Sequence, residues 1–232
     1  MTDVEDAPMN KTQTGRKPPA SHDPIDAVFS SWARSGRAEG MERGHKRGAS
    51  AAFELLGLPK QGRYLDIGCG NGYSVRWALD AMDGGSALGI DVATDMVARA
   101  RAASADYPNA RFEQVSIMAL EDEAGYDAIL SVEALYYLED PQAALGAIHG
   151  FLKPGGRFAL AIDHYQENEG CHSWSDDLGL PMVLWSIDTW IAAFTAASFS
   201  DLQCHQIRSD DPNDEDWKRE HGTLVIVGRR AP

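Results

Sequence analysis

The sequence predicts an α/β domain built on a mostly parallel sheet of seven strands, with helices on both faces and an antiparallel strand at the C-terminal end. Two observations predict this class. From residue 63 onward, short apolar runs alternate with stretches of helical length, and such alternation produces crossover connections between parallel strands. Near the C-terminus two apolar runs follow each other with only an acidic stretch between them, which is typical of an antiparallel hairpin at a sheet edge.

The individual elements follow from local patterns. The predicted strands are apolar runs bounded by glycine or aspartate: Tyr64–Ile67, Ala87–Ile90, Arg111–Val115, Ala128–Ser131, Arg157–Ile162, Leu202–Ile207 and Leu224–Val227. The predicted helices among the first five strands are Tyr73–Met82, Thr94–Ser104 and Pro141–Leu152, with a short one near Ala134–Leu138. The sequence LKPGG at residues 152–156 ends a helix and turns the chain into the fifth strand. Ser186 is the predicted N-cap of a later helix, because its hydroxyl can accept from a free N–H of the first turn.

The N-terminal quarter differs from the rest. Residues 1–24 show no periodicity, so we expect a flexible tail ahead of a single domain over residues 25–232. Residues 25–50 begin with an apolar i, i+3, i+4, i+7 pattern that predicts a helix, which Gly36 and Gly40 interrupt. Residues 34–47 carry five basic and two acidic side chains. We interpret residues 25–50 as a helical lid that meets an anionic ligand, with a solvated helix face as the alternative.

The composition excludes several functional classes. The 232 residues carry a net charge of −14, which repels phosphate backbones and makes nucleic acid an unfavourable partner. Cys69, Cys171 and Cys204 form no C-x-x-C pair, and no His/Cys cluster has zinc spacing, so the sequence predicts neither a disulfide framework nor a metal site. No apolar run approaches the roughly 20 residues of a membrane helix, and the N-terminus lacks the apolar core of a signal peptide. We expect a cytoplasmic protein that contacts no membrane.

The most informative stretch is YLDIGCGNGYSVRWAL, residues 64–79. A predicted strand runs into Gly68, Gly70 and Gly72, and a helix begins directly afterwards. Glycines let the backbone turn tightly and approach a ligand, and the start of the helix offers unpaired N–H groups. Asp91 ends the second predicted strand, nineteen residues after Gly72. A carboxylate at that position can accept two hydroxyls of a ribose.

The spacing of these glycines separates two ligand classes. Dinucleotide-binding enzymes use G-x-G-x-x-G, whereas this loop has G-x-G-x-G preceded by Asp66. A carboxylate there repels a pyrophosphate and suits the amino group of a methionine moiety. The motif LDIGCGNG resembles the first motif of the class I S-adenosylmethionine-dependent methyltransferase family, and the resemblance covers about residues 62–165 and, more loosely, the chain up to the C-terminus.

The resemblance implies a Rossmann-like three-layer sandwich, an enzyme, and S-adenosyl-L-methionine as its cofactor. By similarity, Asp66 and the loop Gly68–Gly72 would hold the methionine end of the cofactor. Asp91 would bind the ribose hydroxyls, and Val92 and Met96 would line the adenine side.

Further along the chain the likeness continues with one departure. The stretches YDAILS, LKPGGRFAL and GTLVIVGRR resemble the family's fourth, fifth and closing strands. After the third strand, Ser116 stands where many members carry an Asp that bonds the adenine amino group. The full set of predicted cofactor-binding residues is Asp66, Gly68, Cys69, Gly70, Gly72, Asp91, Val92, Met96, Ser116, Ile117 and Ser131.

The predicted catalytic residues are His164, Tyr136 and Glu133. Methyl transfer from a sulfonium depends chiefly on positioning, so no catalytic triad is expected, and a base is needed only when the nucleophile arrives protonated. His164 is the expected base because an imidazole titrates near neutral pH; a polar residue that merely opens a loop is the alternative. The polar loop over residues 164–186 has no predicted helix or strand, and we interpret it as a substrate loop. Trp32, Trp174 and Trp185 are predicted to enclose a cation or a flat ring, or else to belong to the core.

The expected acceptor is a small molecule. The end of the fourth strand reads SVEALYY and lacks the N/D-P-P-Y signature of family members that methylate amide or exocyclic amino nitrogens. Three alternatives stay open. The first is a protein or RNA methyltransferase of the same fold, which the basic residues 34–47 favour. The second is a nicotinamide-dependent oxidoreductase, which the early position of Gly72 disfavours, and the third is a module that binds the cofactor without catalysis.

Overall fold

The computed structural model describes residues 23–232. Of the predicted flexible tail, residues 1–24, only the last two residues belong to this part, and the rest of that prediction lies outside the described residues. Asp23 is the N-cap of the first helix, α1 (Pro24–Ser35), and its carboxylate accepts a hydrogen bond from the backbone N–H of Ile25 at 2.9 Å. The described part of the chain therefore begins with a capped helix.

Seven strands form one sheet in the order β3-β2-β1-β4-β5-β7-β6. Their bounds are β1 (Arg63–Ile67), β2 (Ser86–Asp91), β3 (Ala110–Gln114), β4 (Tyr126–Val132), β5 (Leu152–Ile162), β6 (Ser200–Ile207) and β7 (Thr223–Arg229). Strand β7 runs antiparallel to both β5 and β6, and the other adjacent pairs are parallel. The predicted α/β class, the seven-stranded, mostly parallel sheet and the antiparallel C-terminal strand are confirmed.

The helices beyond α1 lie between the strands and before β1. They are α2 (Arg37–Leu56), α3 (Tyr73–Ala81), α4 (Thr94–Ala103), α5 (Pro141–Phe151), α6 (Trp174–Leu178), α7 (Ile187–Ala196) and α8 (Asp216–Glu220). The predicted cap of α7 is confirmed, since the Ser186 hydroxyl accepts from the backbone N–H of Thr189 at 3.1 Å. Among the described residues, no helix combines the length and apolar character needed to cross a bilayer.

Two apolar layers cover the sheet, because successive residues of a strand point to opposite faces. Leu65 of β1 lies in a layer with Leu145 of α5 and Phe194 of α7. Tyr64, the residue before it, lies in the other layer with side chains of α2, α3 and α4, among them Val75. The helices therefore cover both faces, as the alternating pattern predicts.

Two local predictions in the N-terminal half are corrected by the structure. Gly36 separates α1 from α2 with a left-handed φ of 78°, but Gly40 does not interrupt the chain and lies inside α2. One glycine costs a helix only about 1 kcal/mol, and the C-terminal part of α2 is anchored in the core by Ala49 and Ala52. The predicted short helix near Ala134–Leu138 is a single 3₁₀ turn, Leu135–Tyr137.

Two predicted loops also contain regular structure. Residues 164–186 hold a 3₁₀ turn, Glu169–Cys171, and helix α6, which Gly179 closes in a left-handed conformation. The LKPGG sequence ends a helix as predicted, since α5 stops at Phe151. Its turn belongs to β5, which begins at Leu152 and shifts its register against β4 near Tyr126. The 3₁₀ turn Glu169–Cys171 and helix α6 lack the apolar periodicity by which a sequence reveals longer helices.

Candidate cofactor and acceptor site

The carboxyl ends of β1, β2 and β4 open into a cavity of about 510 Å³. The strand order reverses between β1 and β4, and ligands of open α/β sheets bind in the crevice at such a reversal. Phe29 and Trp32 of α1 and Met41 of α2 belong to the lining. Eight of the predicted cofactor-binding residues also line this cavity: Gly68, Cys69, Gly70, Asp91, Val92, Met96, Ser116 and Ile117.

The glycine loop has a left-handed backbone at each of its three glycines, with φ values of 73° at Gly68, 51° at Gly70 and 78° at Gly72. A Cβ added at Gly68 or Gly72 would collide with the side chain of Ala134 or Phe112, so packing requires glycine there. At Gly70 nothing lies within 4 Å of the Cβ position. The open side of the loop is therefore at Gly70, where a ligand can approach the backbone.

Asp91 connects this loop to the second strand. Its Oδ2 accepts a hydrogen bond from the Gly70 N–H at 2.9 Å, and its Oδ1 accepts from the Ala93 N–H at 2.8 Å. Burial raises the pKa of the Asp91 carboxyl, and the two backbone donors oppose that rise. Each carboxylate oxygen keeps a further lone pair, so the side chain can hold the loop and still accept from the hydroxyls of a ribose.

Asp66 lies beneath the loop and outside the cavity lining. It is buried and accepts a hydrogen bond from the Ser74 hydroxyl, which in turn accepts from the Tyr64 hydroxyl at 3.0 Å. Burial raises the pKa of Asp66 to about 7. Ser131 is also outside the lining, and its hydroxyl donates to the Ile67 carbonyl at 3.1 Å. Both residues support the loop from below in this structure, and direct contact with the cofactor stays a prediction for them and for Gly72.

Ser116 lies at the end of β3, as the resemblance places it. Its hydroxyl oxygen accepts from the backbone N–H of Met118 at 3.3 Å and caps a 3₁₀ turn. A second lone pair is left for a donor such as the adenine amino group. The side chains of Val92, Met96 and Ile117 supply apolar surface to the same cavity.

The predicted lid is docked over the cavity. In α1, Asp26 accepts from the Thr94 N–H at 3.0 Å, and Ser30 accepts from the Asp95 N–H at 3.1 Å. These bonds satisfy N–H groups in the first turn of α4, where negative side chains are favourable. Arg34 of the basic stretch pairs with Asp95. An opening motion of the lid stays a prediction.

Glu133 and Tyr136 line the cavity beyond the end of β4. Glu133 has a left-handed φ of 52°, an unfavourable conformation for a residue with a Cβ. Its Oε2 accepts from the Tyr136 hydroxyl at 2.7 Å, and its Oε1 accepts from the Asp163 N–H at 2.6 Å. Burial raises the pKa of the Glu133 carboxyl well above its usual range. Two of the three predicted catalytic residues are thus brought together here.

His164 lies behind Tyr136 rather than in the cavity lining. Its ring is 5.4 Å from the Tyr136 ring, and the residue is 1% exposed. Nδ1 lies 3.0 Å from the Cys171 carbonyl, and because a carbonyl only accepts, Nδ1 carries the proton. Burial lowers the pKa of His164. The structure therefore places His164 where it supports Tyr136, and a role as the base stays a prediction.

Several lining residues were missed by sequence reasoning. They are contributed mostly by α1, α2 and the glycine loop: Phe29, Arg37, Met41, Glu42, His45, Asn71 and Tyr73. Asn71 donates to Glu42 at 2.7 Å and so ties the loop to α2. His45 is the histidine of the lining, and burial lowers its pKa to about 4. It lies in the basic, glycine-rich stretch, where no local pattern marks one histidine as functional.

The aromatic residues separate into two groups. Trp32 and Trp174 line the cavity, whereas Trp185 packs 4.8 Å from the Trp190 ring. The predicted enclosure therefore consists of two of the three tryptophans. Cys69 is buried in the loop, and burial raises the pKa of its thiol well above the usual range, which leaves the thiol in its unreactive neutral form.

Comparison with known proteins identifies the class. A family model described as a methyltransferase domain matches residues 65–158. A chain of the complex between the Haloferax volcanii Trm112 methyltransferase activator and a methyltransferase is 30% identical, with a TM-score of 0.80 over 88% of this chain and 98% of that chain. The chain belongs to the class I S-adenosylmethionine-dependent methyltransferase family. The predicted family, enzyme class and cofactor are confirmed.

Two curated relatives are O-methyltransferases. The ubiquinone biosynthesis O-methyltransferase of Paracidovorax citrulli is 38% identical over 105 residues, which are 42% of this chain and 42% of that protein. The malonyl-(acyl-carrier protein) O-methyltransferase of Magnetococcus marinus is 30% identical over 131 residues, 53% of this chain and 48% of that protein. The chain spans less than half the length of these two curated relatives.

The residues present fit S-adenosylmethionine. The open Cβ position at Gly70 lets the ligand reach the loop backbone, and Asp91 keeps lone pairs for the ribose. Val92 and Met96 offer an apolar surface for the adenine. The cavity therefore has the shape and chemistry that the cofactor requires, and the contact of each of these residues with it, including that of Ser116 with the adenine, stays a prediction.

Asp91→Ala removes the ribose acceptors and the bond that holds Gly70. We expect the affinity for S-adenosylhomocysteine to fall by about 1.5–3 kcal/mol, the range for hydrogen bonds to a charged group. Isothermal titration calorimetry measures this. Asp106→Ala, at an exposed position after α4, is the matched control and should bind as the wild type does. An unchanged affinity in Asp91→Ala would show that the ribose lies elsewhere.

Asp66 makes the stability of the fold depend on pH. Its pKa is about 7 in the folded chain and about 3.9 in an unfolded one, so between these values the folded state binds the extra proton. Stability contributed by that proton is present below about pH 4 and is lost as the pH rises through 7. Asp66→Asn mimics the protonated carboxyl. We measure the free energy of unfolding in urea at pH 5 and at pH 7.5. Between these two pH values we expect it to fall by about 2 kcal/mol more in the wild type than in the variant. An equal fall in both proteins would contradict a buried Asp66 carboxyl that ionises near pH 7.

Proposed function

We propose that this chain transfers the methyl group of S-adenosylmethionine to an oxygen atom of a small-molecule acceptor. The observation that carries the proposal is that one cavity brings the glycine loop and Asp91 together with His45, Glu133 and Tyr136. The first set fits the methyl donor, and the second provides polar groups for an acceptor. The relatives named as O-methyltransferases support oxygen as the accepting atom.

The chain's own residues would act mainly by holding the two reactants in line. S-adenosylmethionine would supply a methyl group bound to a sulfonium. The bond between the sulfur and the methyl carbon breaks, and its electron pair returns to the sulfur. The loop backbone and Asp91 fix the donor, so an acceptor held against it reacts without a further search for geometry. An acceptor hydroxyl must also lose its proton as the new bond to carbon forms. Of the ionisable side chains in the lining beyond the loop, we assign the removal of this proton to His45 or Glu133, which lie in the cavity together with Tyr136.

The lining supports an acceptor with a flat or apolar part. Phe29 of α1 packs edge-on against Tyr137 at 5.3 Å, and Trp32 and Trp174 complete an aromatic wall. Because α1 and α2 cover the cavity, a small molecule reaches the acceptor groups more readily than a folded macromolecule. The net charge of −14 also opposes an RNA acceptor. Both observations favour the small-molecule alternative over the protein or RNA alternative.

A labelling experiment tests the proposal. The purified chain is incubated with a small-molecule extract or with the macromolecules of a lysate, together with S-adenosylmethionine carrying a labelled methyl group. We expect label in the small-molecule arm, and less of it with Asp91→Ala when S-adenosylmethionine is kept below the concentration that saturates the wild type. Label confined to macromolecules would favour a protein or RNA acceptor. Tight binding of S-adenosylhomocysteine without labelling in either arm would favour a non-catalytic module.

The two histidines near Glu133 are expected to differ in importance. His45 lines the cavity and His164 does not, so His45→Gln should lower kcat about 100-fold or more, while His164→Gln should retain most of the wild-type turnover. S-adenosylhomocysteine binding is measured in both variants to show that the cofactor site is intact. The reverse order of effects would restore His164 as the residue that acts on the acceptor.

A further inference from the structure

Three side chains from distant parts of the sequence converge beyond the end of β4. One ligating atom each of His45, Glu133 and Asp163 lies within 4.8 Å of the other two. His45 comes from α2, Glu133 follows β4 and Asp163 follows β5. One imidazole and two carboxylates form a donor set that first-row divalent metal ions accept.

Asp163 is the member that most needs a cation. It is 3% exposed, and its Oδ1 is buried without a hydrogen-bond partner among the described residues. A buried carboxylate oxygen without a donor is costly and rare. The Thr223 side chain hydrogen-bonds to the Asp163 carboxylate, and the charge of Lys218 also favours its ionised form. Among the described residues, however, no lysine or arginine forms an ion pair with Asp163, since the Lys218 ammonium pairs with Glu215 at 3.6 Å.

Glu133 is held in place to complete the set. Its two oxygens accept from the Asp163 N–H at 2.6 Å and from the Tyr136 hydroxyl at 2.7 Å. Each oxygen keeps a second lone pair that can bind an ion. The left-handed φ of 52° at Glu133 is the kind of backbone strain that persists at functional sites. Two carboxylates brought this close repel each other unless a proton or a cation lies between them.

We propose that His45, Glu133 and Asp163 bind one divalent first-row transition-metal ion, in the range from Mn²⁺ to Zn²⁺. Such ions lie about 2.0–2.2 Å from nitrogen and oxygen ligands, so ligand atoms within 4.8 Å of one another reach an ion by side-chain adjustment alone. Three protein ligands leave positions for water or for another oxygen ligand. His45 and Glu133 line the cavity, so these positions open toward the acceptor.

One consequence rests on the proposed function. An acceptor hydroxyl bound to the ion would release its proton to water more readily, and its oxygen would then form the bond to the methyl carbon as the carbon–sulfur bond breaks. This favours acceptors that offer a hydroxyl with a second oxygen beside it. The ion would also explain how the acceptor hydroxyl loses its proton when His45 binds the metal and cannot act as the base.

Metal binding is tested without reference to catalysis. The untagged full chain is stripped with a chelator and titrated with Mn²⁺, and free Mn²⁺ is followed by electron paramagnetic resonance. We expect one bound Mn²⁺ per chain, and at least tenfold weaker binding in His45→Gln and Asp163→Asn. His205→Gln and Asp106→Asn, at exposed positions, are the matched controls and should bind as the wild type does. S-adenosylhomocysteine binding and circular dichroism show that each variant is folded.

The outcomes separate this proposal from the proposed function. A stripped wild type that binds none of Mn²⁺, Co²⁺ and Zn²⁺ would overturn the metal site, as would binding that survives both ligand variants. Methyl transfer at full rate in the presence of a chelator would overturn the ion's part in catalysis and leave the proposed function intact. Specific metal binding without methyl transfer to any acceptor would contradict the proposed function alone.

Discussion

Between β1 and β4 the chain leaves the sheet in opposite directions, because the strand order runs outward from this pair toward both edges. Within residues 23–232 no crossover connection covers the carboxyl ends of these two strands, and the cavity lies in the gap between the connections. The glycine loop, Asp91 and Glu133 all emerge at this edge. Everything that the site can do depends on this gap, since the same residues on a sheet without a reversal would be covered by the connections.

The carboxyl ends of four neighbouring strands each carry a buried or cavity-facing acid. Asp66 ends its strand against a serine hydroxyl, and Asp91 accepts from two backbone N–H groups. Glu133 accepts from a tyrosine hydroxyl and a backbone N–H, while Asp163 keeps one buried oxygen without a partner. Burial is the first cause that raises the pKa of all four. The acid of β1 therefore supports the glycine loop, whereas the acids after β4 and β5 keep oxygen atoms that can bind the proposed metal ion.

The N-terminal helices complete the site and stabilise it at once. Helix α1 caps the first turn of α4 through Asp26 and Ser30, and its aromatic residues face the cavity. The helix that covers the ligand is thus fastened to the helix that follows Asp91. The short stretch of chain between Asp91 and α4 therefore connects the predicted ribose position to the helix that covers the cavity.

Local patterns were enough to predict much of this protein. The glycine spacing, the acid before it and Asp91 at the end of the next strand predicted a ligand site, because such features depend on backbone geometry over short distances. The resemblance of the same motif to a known family implied the family and the cofactor. The alternation of apolar runs with helical stretches predicted the sheet and the helices on both of its faces, because this pattern too is local along the chain. The errors lie where tertiary contacts override a local signal: Gly40 stays helical because α2 is anchored in the core, and α6 lacks a periodic pattern.

The sequence by itself determined the fold class, the cofactor and the residues of the glycine loop, since each depends on neighbours along the chain. Only the tertiary structure decided the acceptor end. It placed His45 in the cavity and His164 behind Tyr136, although the sequence pattern favours His164. It also brought His45, Glu133 and Asp163 within reach of one another. Their separations of 88 and 30 residues carry no local signal, because packing of α2 over the ends of β4 and β5 is what joins them.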